Sequence, residues 1–120
     1  MAEFQVTPVT AIRLADTAIY RLTGMCATAA LPILIGTVGE PPSTRFLVLN
    51  VREVPFMTGA AVEYLVRVSD ALMGRGGAVI FLNLHPKVKV VMDALGVVSK
   101  FRLESDLGSA ATYINQRAGR

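Results

Sequence analysis

A single cysteine, Cys26, and a single histidine, His85, occur in a chain of 120 residues. One thiol excludes a disulfide within the chain and permits a reducing compartment. One imidazole excludes a histidine-rich metal site and leaves only His85 for any Ser-His-Asp arrangement. The phosphate-loop signatures Gly-x-Gly-x-x-Gly and Gly-Lys-Ser/Thr are absent. Gly74, Gly76 and Gly77 close a helical pattern instead of opening one, the wrong side for a dinucleotide. The acids Glu40, Glu53, Glu63, Asp70, Asp93, Glu104 and Asp106 are scattered and form no catalytic pair. The start, Met1-Ala2-Glu3-Phe4, lacks the basic and apolar regions of a signal peptide. These absences lead to the expectation of a non-enzymatic, cofactor-free, metal-free protein of the cytoplasm.

Charge is thinly spread as well. Twelve basic and nine acidic residues give a formal net charge of +3. Lys87, Lys89, Arg75, Lys100 and Arg102 are interspersed with apolar positions, whereas nucleic-acid binding wants a concentrated basic face. Residues 22–39 carry no charge over 18 positions, which reaches the lower edge of transmembrane length. Gly24, Gly36, Gly39, Pro32 and three threonines within it, and strand-like patterns on both flanks, argue against a span.

What the chain has in quantity is apolar surface. A hydrophobic content of 52% in 120 residues fits one domain, residues 1–120, with a single packed core. Residues 4–9 read as a strand whose Pro8 belongs at a sheet edge, and residues 18–22 as its neighbour across a turn at Ala15-Asp16-Thr17. Residues 27–38 read as a helix with Leu31, Leu34, Ile35 and Val38 inward. Its outer face of Ala30, Ile33 and Thr37, with Ala29 and Gly36, carries no charge and fits coverage by another chain. Residues 46–51 are nearly all apolar, the pattern of a strand covered on both faces.

Residues 59–74 form a helical pattern with Ala61, Leu65, Val68 and Leu72 inward and Glu63 placed four residues before Arg67 for a modest surface pair, closed by its glycines. A second buried strand over 78–83 precedes a helix opened by Pro86 and stopped by Gly96, with Val88, Val91, Met92 and Leu95 inward and His85 as its cap. A short strand over 100–103 and a helix from Ser105 or Asp106 to Ile114 complete the chain, leaving residues 116–120 as a frayed basic tail. The order predicts an α/β fold with a mixed sheet of four to five strands and about four helices packed mainly on one face.

Four pieces in order, Leu49-Asn50-Val51, Phe56-Met57-Thr58-Gly59-Ala60-Ala61, Arg75-Gly76-Gly77-Ala78-Val79 and His85-Pro86-Lys87-Val88 with Ala94-Leu95-Gly96, resemble the second half of a STAS domain. The family includes the bacterial anti-sigma factor antagonists. In that family the first helix of this series opens with Asp-Ser-x-Gly, and a partner kinase phosphorylates the serine. Here Thr58 stands at the aspartate, Gly59 at the serine and Ala61 at the glycine. The resemblance therefore implies the fold and a protein-docking role in bacterial signal transduction and transcription regulation, without the usual serine switch.

The implied docking surface comprises Pro55, Met57, Thr58, Gly59, Ala60, Glu63, Arg67 and Ile33. The implied partners are an anti-sigma-type serine kinase, another STAS protein or a second copy of the chain. Thr58 is either a phosphorylation candidate or a helix cap. Gly59 reads as a small first-turn residue that lets another backbone come close, or as the mark of a permanently binding-competent module. Cys26 reads as a small buried residue before it reads as a reactive thiol. The alternative is a ligand-responsive regulatory subunit serving a lipid or transport complex, or sensing nucleotides.

Overall fold

The computed structural model describes residues 5–9, 16–24 and 44–118. The helix expected over 27–38, with Ile33 and Cys26, lies outside them. Elements run in the order β1 (Gln5–Pro8), β2 (Thr17–Thr23), β3 (Phe46–Glu53), α1 (Gly59–Met73), β4 (Ala78–Leu82), α2 (Pro86–Leu95), a 3-10 turn (Val98–Lys100), β5 (Arg102–Glu104) and α3 (Leu107–Ala118). The strands form one sheet in sequence order, β1-β2-β3-β4-β5. β1 pairs antiparallel to β2, and β2 through β5 run parallel. Pro8 sits on an edge strand, where a missing N–H costs no ladder bond.

β3 is central, and side-chain alternation sends its residues into two cores. Leu47, Leu49 and Val51 join Leu22, Val79, Phe81, the inner face of α1, and Val88 and Met92 of α2. Phe46 and Val48 join Ile19, Ala78, Ile80, Leu82 and Ala110 and Ile114 of α3. The single core expected from length is therefore divided by a sheet buried on both sides. Two of the three described helices cover one face and the third covers the other. Each fully buried Leu, Ile, Val or Phe contributes about 1.5–3 kcal/mol of transfer free energy, so β3 alone commits both layers to the sheet.

The N-terminal ends of the parallel strands are tied by backbone. Asp16, at a left-handed φ of 55° that aspartate tolerates, accepts through its carbonyl from the N–H groups of Arg45 and Phe46 at 2.8 and 3.0 Å. Its carboxylate takes Arg45 Nε at 3.1 Å. The Arg45 carbonyl accepts from Ala78 N–H at 3.0 Å. That approach needs a residue without Cβ at Gly77, where a β-carbon would lie 1.6 Å from the Arg45 carbonyl oxygen.

The glycines after α1 thus divide their work differently from the expected shared capping role. Gly74 stays right-handed at φ −63°, Gly76 alone turns left-handed at φ 80°, and Gly77 makes room for β3. Gly96 stops α2 as expected, left-handed at φ 70°, with Val97 N–H donating to the Met92 carbonyl at 3.1 Å.

Two boundaries differ from the sequence reading. The last strand begins at Arg102, because the Lys100 carbonyl is taken by Ser69 Oγ of α1 and Phe101 turns inward to pack on Phe81, ring centroids 4.8 Å apart. The last helix runs on to Ala118. Asp106 caps it by accepting from Ser109 N–H at 2.7 Å, and the Arg117 guanidinium lies 5.3 Å from the Tyr113 ring centroid, one turn back. Among the described residues no helix is long and apolar enough to cross a membrane.

Gly77→Ala is expected to lower stability by at least about 2 kcal/mol, since a backbone clash cannot be relieved by rotamers. Chemical denaturation checks this, and an unchanged midpoint would contradict the close approach. Hydrogen bonds from the Ser109 backbone and side chain hold the Asp106 carboxyl below its ordinary range. A depressed folded-state value stabilises above the unfolded value and ceases to do so as pH falls through the folded one. The gap in thermal midpoint between wild type and Asp106→Ala should therefore be open at neutral pH and close below the ordinary carboxylate range.

Candidate functional site

Parallel strands bring their C-terminal ends to one pole, where the crossover connections leave loop residues outside the sheet. β3 ends there, with Gly24 N–H donating to the Glu53 carbonyl at 3.1 Å and Asn50 Oδ1 accepting from Arg52 N–H at 3.2 Å. The chain then crosses to α1 through residues 54–58. Val54 is fully buried and Met57 is 1% exposed, so two apolar anchors hold the loop down. Between them Pro55 and Phe56 project outward, and Phe56 is 44% exposed.

Thr58 then opens α1. It is extended, at φ −68° and ψ 155°, and its Oγ1 accepts from Ala61 N–H at 3.1 Å, as an N-cap does. Its carbonyl accepts from Val62 N–H at 3.0 Å. The N–H groups of Gly59 and Ala60 find no acceptor among the described residues, and the first turn contains no acid. This end of the helix therefore presents unpaired donors and the positive end of its dipole at an exposed surface.

The structure gathers most of the residues singled out by sequence and corrects two readings. Pro55, Gly59, Ala60, Glu63 and Arg67 are exposed, with Thr58 half-buried beside them. Met57 does not face a partner, because its side chain fills the core beneath the loop. Glu63 and Arg67 share the outer face of α1, yet no ion pair joins them. No described backbone approaches Gly59 closely: a β-carbon there would meet nothing within 4 Å among the described residues. Ile33 lies outside the described residues.

Phe56 lies within the 55–61 loop expected to dock, though it is not among the individual residues singled out for that surface. His85 caps α2, its Nδ1 accepting from Lys87 N–H at 3.1 Å, which is a structural task. No group of three or more His, Cys, Asp or Glu residues comes together as a metal site among the described residues.

Comparisons with known proteins agree with this architecture. The family model of the STAS domain matches residues 11–110. The unphosphorylated anti-sigma factor antagonist SpoIIAA is similar at a TM-score of 0.71 and 20% identity, with 98% of each chain covered. An anti-sigma factor antagonist from Mycobacterium paratuberculosis is similar at a TM-score of 0.73 and 16% identity, covering 94% of this chain and 95% of that one. A sulfate transporter family protein from Wolinella succinogenes gives a TM-score of 0.76 at 14% identity, covering 91% and 93%. At these identities the likeness is one of fold. No curated protein matches the sequence.

Thr58→Ala is expected to cost about 1 kcal/mol through loss of the cap. Gly59→Ser should fold with stability within about 0.5 kcal/mol of wild type, since the position is open and helical. Parallel denaturation curves of the two variants check both, and a strongly destabilised Gly59→Ser would overturn the open geometry.

Proposed function

The chain belongs to the STAS domain family, and from that premise we propose that it acts by docking onto other proteins, as an anti-sigma factor antagonist or a signalling-scaffold subunit of the bacterial cytoplasm does. The observation that carries this reading is the exposed Pro55–Phe56 tip, held over the buried Val54 and Met57 beside the uncapped N–H groups of α1. An aromatic and a proline on an anchored loop supply contact area without the entropic cost of ordering a floppy segment. The adjoining helix end favours an acidic group from the partner. Glu63 and Arg67 extend the surface along α1 as a polar rim.

The partner is an anti-sigma-type serine kinase, another STAS protein or a second copy of the chain. Gly59 has no hydroxyl where the family's phosphorylated serine stands, so binding is constitutive and set by the abundance of the partner. Thr58 is the one hydroxyl at the turn. Its phosphorylation would place up to two negative charges on the helix N-terminus, in exchange for the present cap. Phosphorylation at Thr58 and constitutive docking are separated by mass spectrometry of protein purified from its own host.

A second reading, a ligand-responsive regulatory subunit, is favoured by one observation. Two cavities lined by basic residues lie at the opposite pole of the sheet. A stability panel of nucleotides and lipids separates this reading from pure docking, because a ligand that binds the folded state raises its thermal midpoint.

Phe56→Asp and Arg67→Glu should each leave the thermal midpoint of the isolated protein nearly unchanged. Phe56→Asp should weaken capture of the co-purifying kinase or STAS partner by at least about tenfold, the range of an interface anchor. Quantitative affinity purification reads the capture, and undiminished recovery by Phe56→Asp would place the docking surface elsewhere.

A further inference from the structure

The N-terminal pole of the sheet holds a feature that docking at residues 54–67 does not use. A cavity of about 300 Å³ opens between the end of α1, the start of β4, the 3-10 turn and α3, with Ser99, Lys100, Arg102, Tyr113 and Arg117 among its walls. A second, of about 380 Å³, is lined by Arg45, Gly76, Gln116 and Arg117. Arg117 belongs to both. Such volumes suit a small molecule, and the two share one cationic side chain at their junction.

The charges around them are arranged, not merely abundant. Lys100 is held by Asp70 at 3.0 Å, Arg45 by Asp16 at 3.1 Å and Arg102 by Glu104. Among the described residues no acidic partner joins Arg117. Four cations against three carboxylates leave a net charge of +1, and it resides on Arg117. Both arginines of α3 and β5 lie against one ring, with Arg102 at 4.5 Å and Arg117 at 5.3 Å from the Tyr113 centroid. Stacking engages the face of a guanidinium and leaves its N–H edges to meet an oxyanion; at Arg102 the Nε edge already meets Glu104, so its terminal N–H groups are the ones left for a ligand. With guanidiniums at the ring, Tyr113 positions the arginines, and the recognition falls on an anion.

We propose that the cavities joined by Arg117 bind a phosphate-bearing ligand, with Arg117 and Arg102 holding the phosphoryl oxygens and Ser99 and Lys100 in the wall beside them. The proposal deepens the ligand-responsive reading and is independent of the Phe56 surface. The two poles are separated by the 15 residues of α1, about 22 Å of helix.

The test is a titration of the full chain with inorganic pyrophosphate at fixed ionic strength, read by calorimetry and by amide chemical shifts. Wild type should bind saturably, with shifts centred on Gly76, Ser99, Arg102 and Tyr113. Arg117→Gln should bind at least about tenfold more weakly, the ratio expected for one charge-assisted hydrogen bond. Arg117→Lys should fall between them. Lys87→Gln, remote on α2, should bind as wild type does. Because Arg117 is exposed near the end of α3, its variants should retain the wild-type thermal midpoint without ligand.

No saturable response in the millimolar range, or equal affinity in wild type and Arg117→Gln, would overturn the site. Two further arms identify the natural source of the phosphate. Adenosine triphosphate binding more tightly than pyrophosphate points to a soluble nucleotide, and Arg117-dependent flotation on vesicles containing a phosphoinositide points to a lipid headgroup.

Discussion

Alternation along β3 is the constraint on which the rest of the structure depends. Leu47, Leu49 and Val51 enter the core under α1 and α2, while Phe46 and Val48 enter the core under α3. A slip of one residue would exchange the two sets and disrupt both layers at once, so the register is fixed from two sides. The Asp16, Arg45 and Gly77 junction then fixes the same register along the strand axis, through backbone bonds that β3 makes with both neighbours. With β3 held in this way, the end of the strand, the 54–58 loop and the start of α1 have little freedom. The Pro55–Phe56 tip is displayed by a rigid base, which is what a docking loop requires.

The two poles of the molecule differ in chemistry. At the C-terminal ends of the parallel strands lie an aromatic tip and unpaired helix donors, beside the exposed Arg52 and Glu53. At the N-terminal ends lie a cluster of guanidiniums disciplined by carboxylates and by one tyrosine ring. α1 connects them, and Ser69 and Asp70 near its far end fasten it to Lys100 by a hydroxyl bond and an ion pair. The same helix thus borders the basic pole at its end and forms the docking surface with its first turn.

Much of this was readable from residue order. Pro8 marked an edge strand, the apolar run at 46–51 marked the strand buried on both faces, and the span of α1 from Gly59 to its glycine stop followed from periodicity and capping chemistry. His85 and Gly96 bounded α2 as their side chains, or the lack of one, dictate. The loop before α1 was less legible, because periodicity ends at the strand. Nothing in the order Phe56-Met57 says which residue turns inward, and tertiary space beneath the loop chose the methionine. Gly77 read as a cap because glycines cluster there, whereas its need arises from the Arg45 carbonyl, 32 positions earlier. The Arg102, Tyr113 and Arg117 group was invisible for the same reason, since α3 and β5 meet only when the sheet is complete.

Amide hydrogen exchange of the protein, alone and saturated with its co-purified partner, tests the central claim most directly. The account predicts that protection appears at residues 55–67, and that residues 99–102 and 113–117 exchange as in the free protein. Protection confined to the basic pole, with the 55–67 segment unchanged, would contradict it.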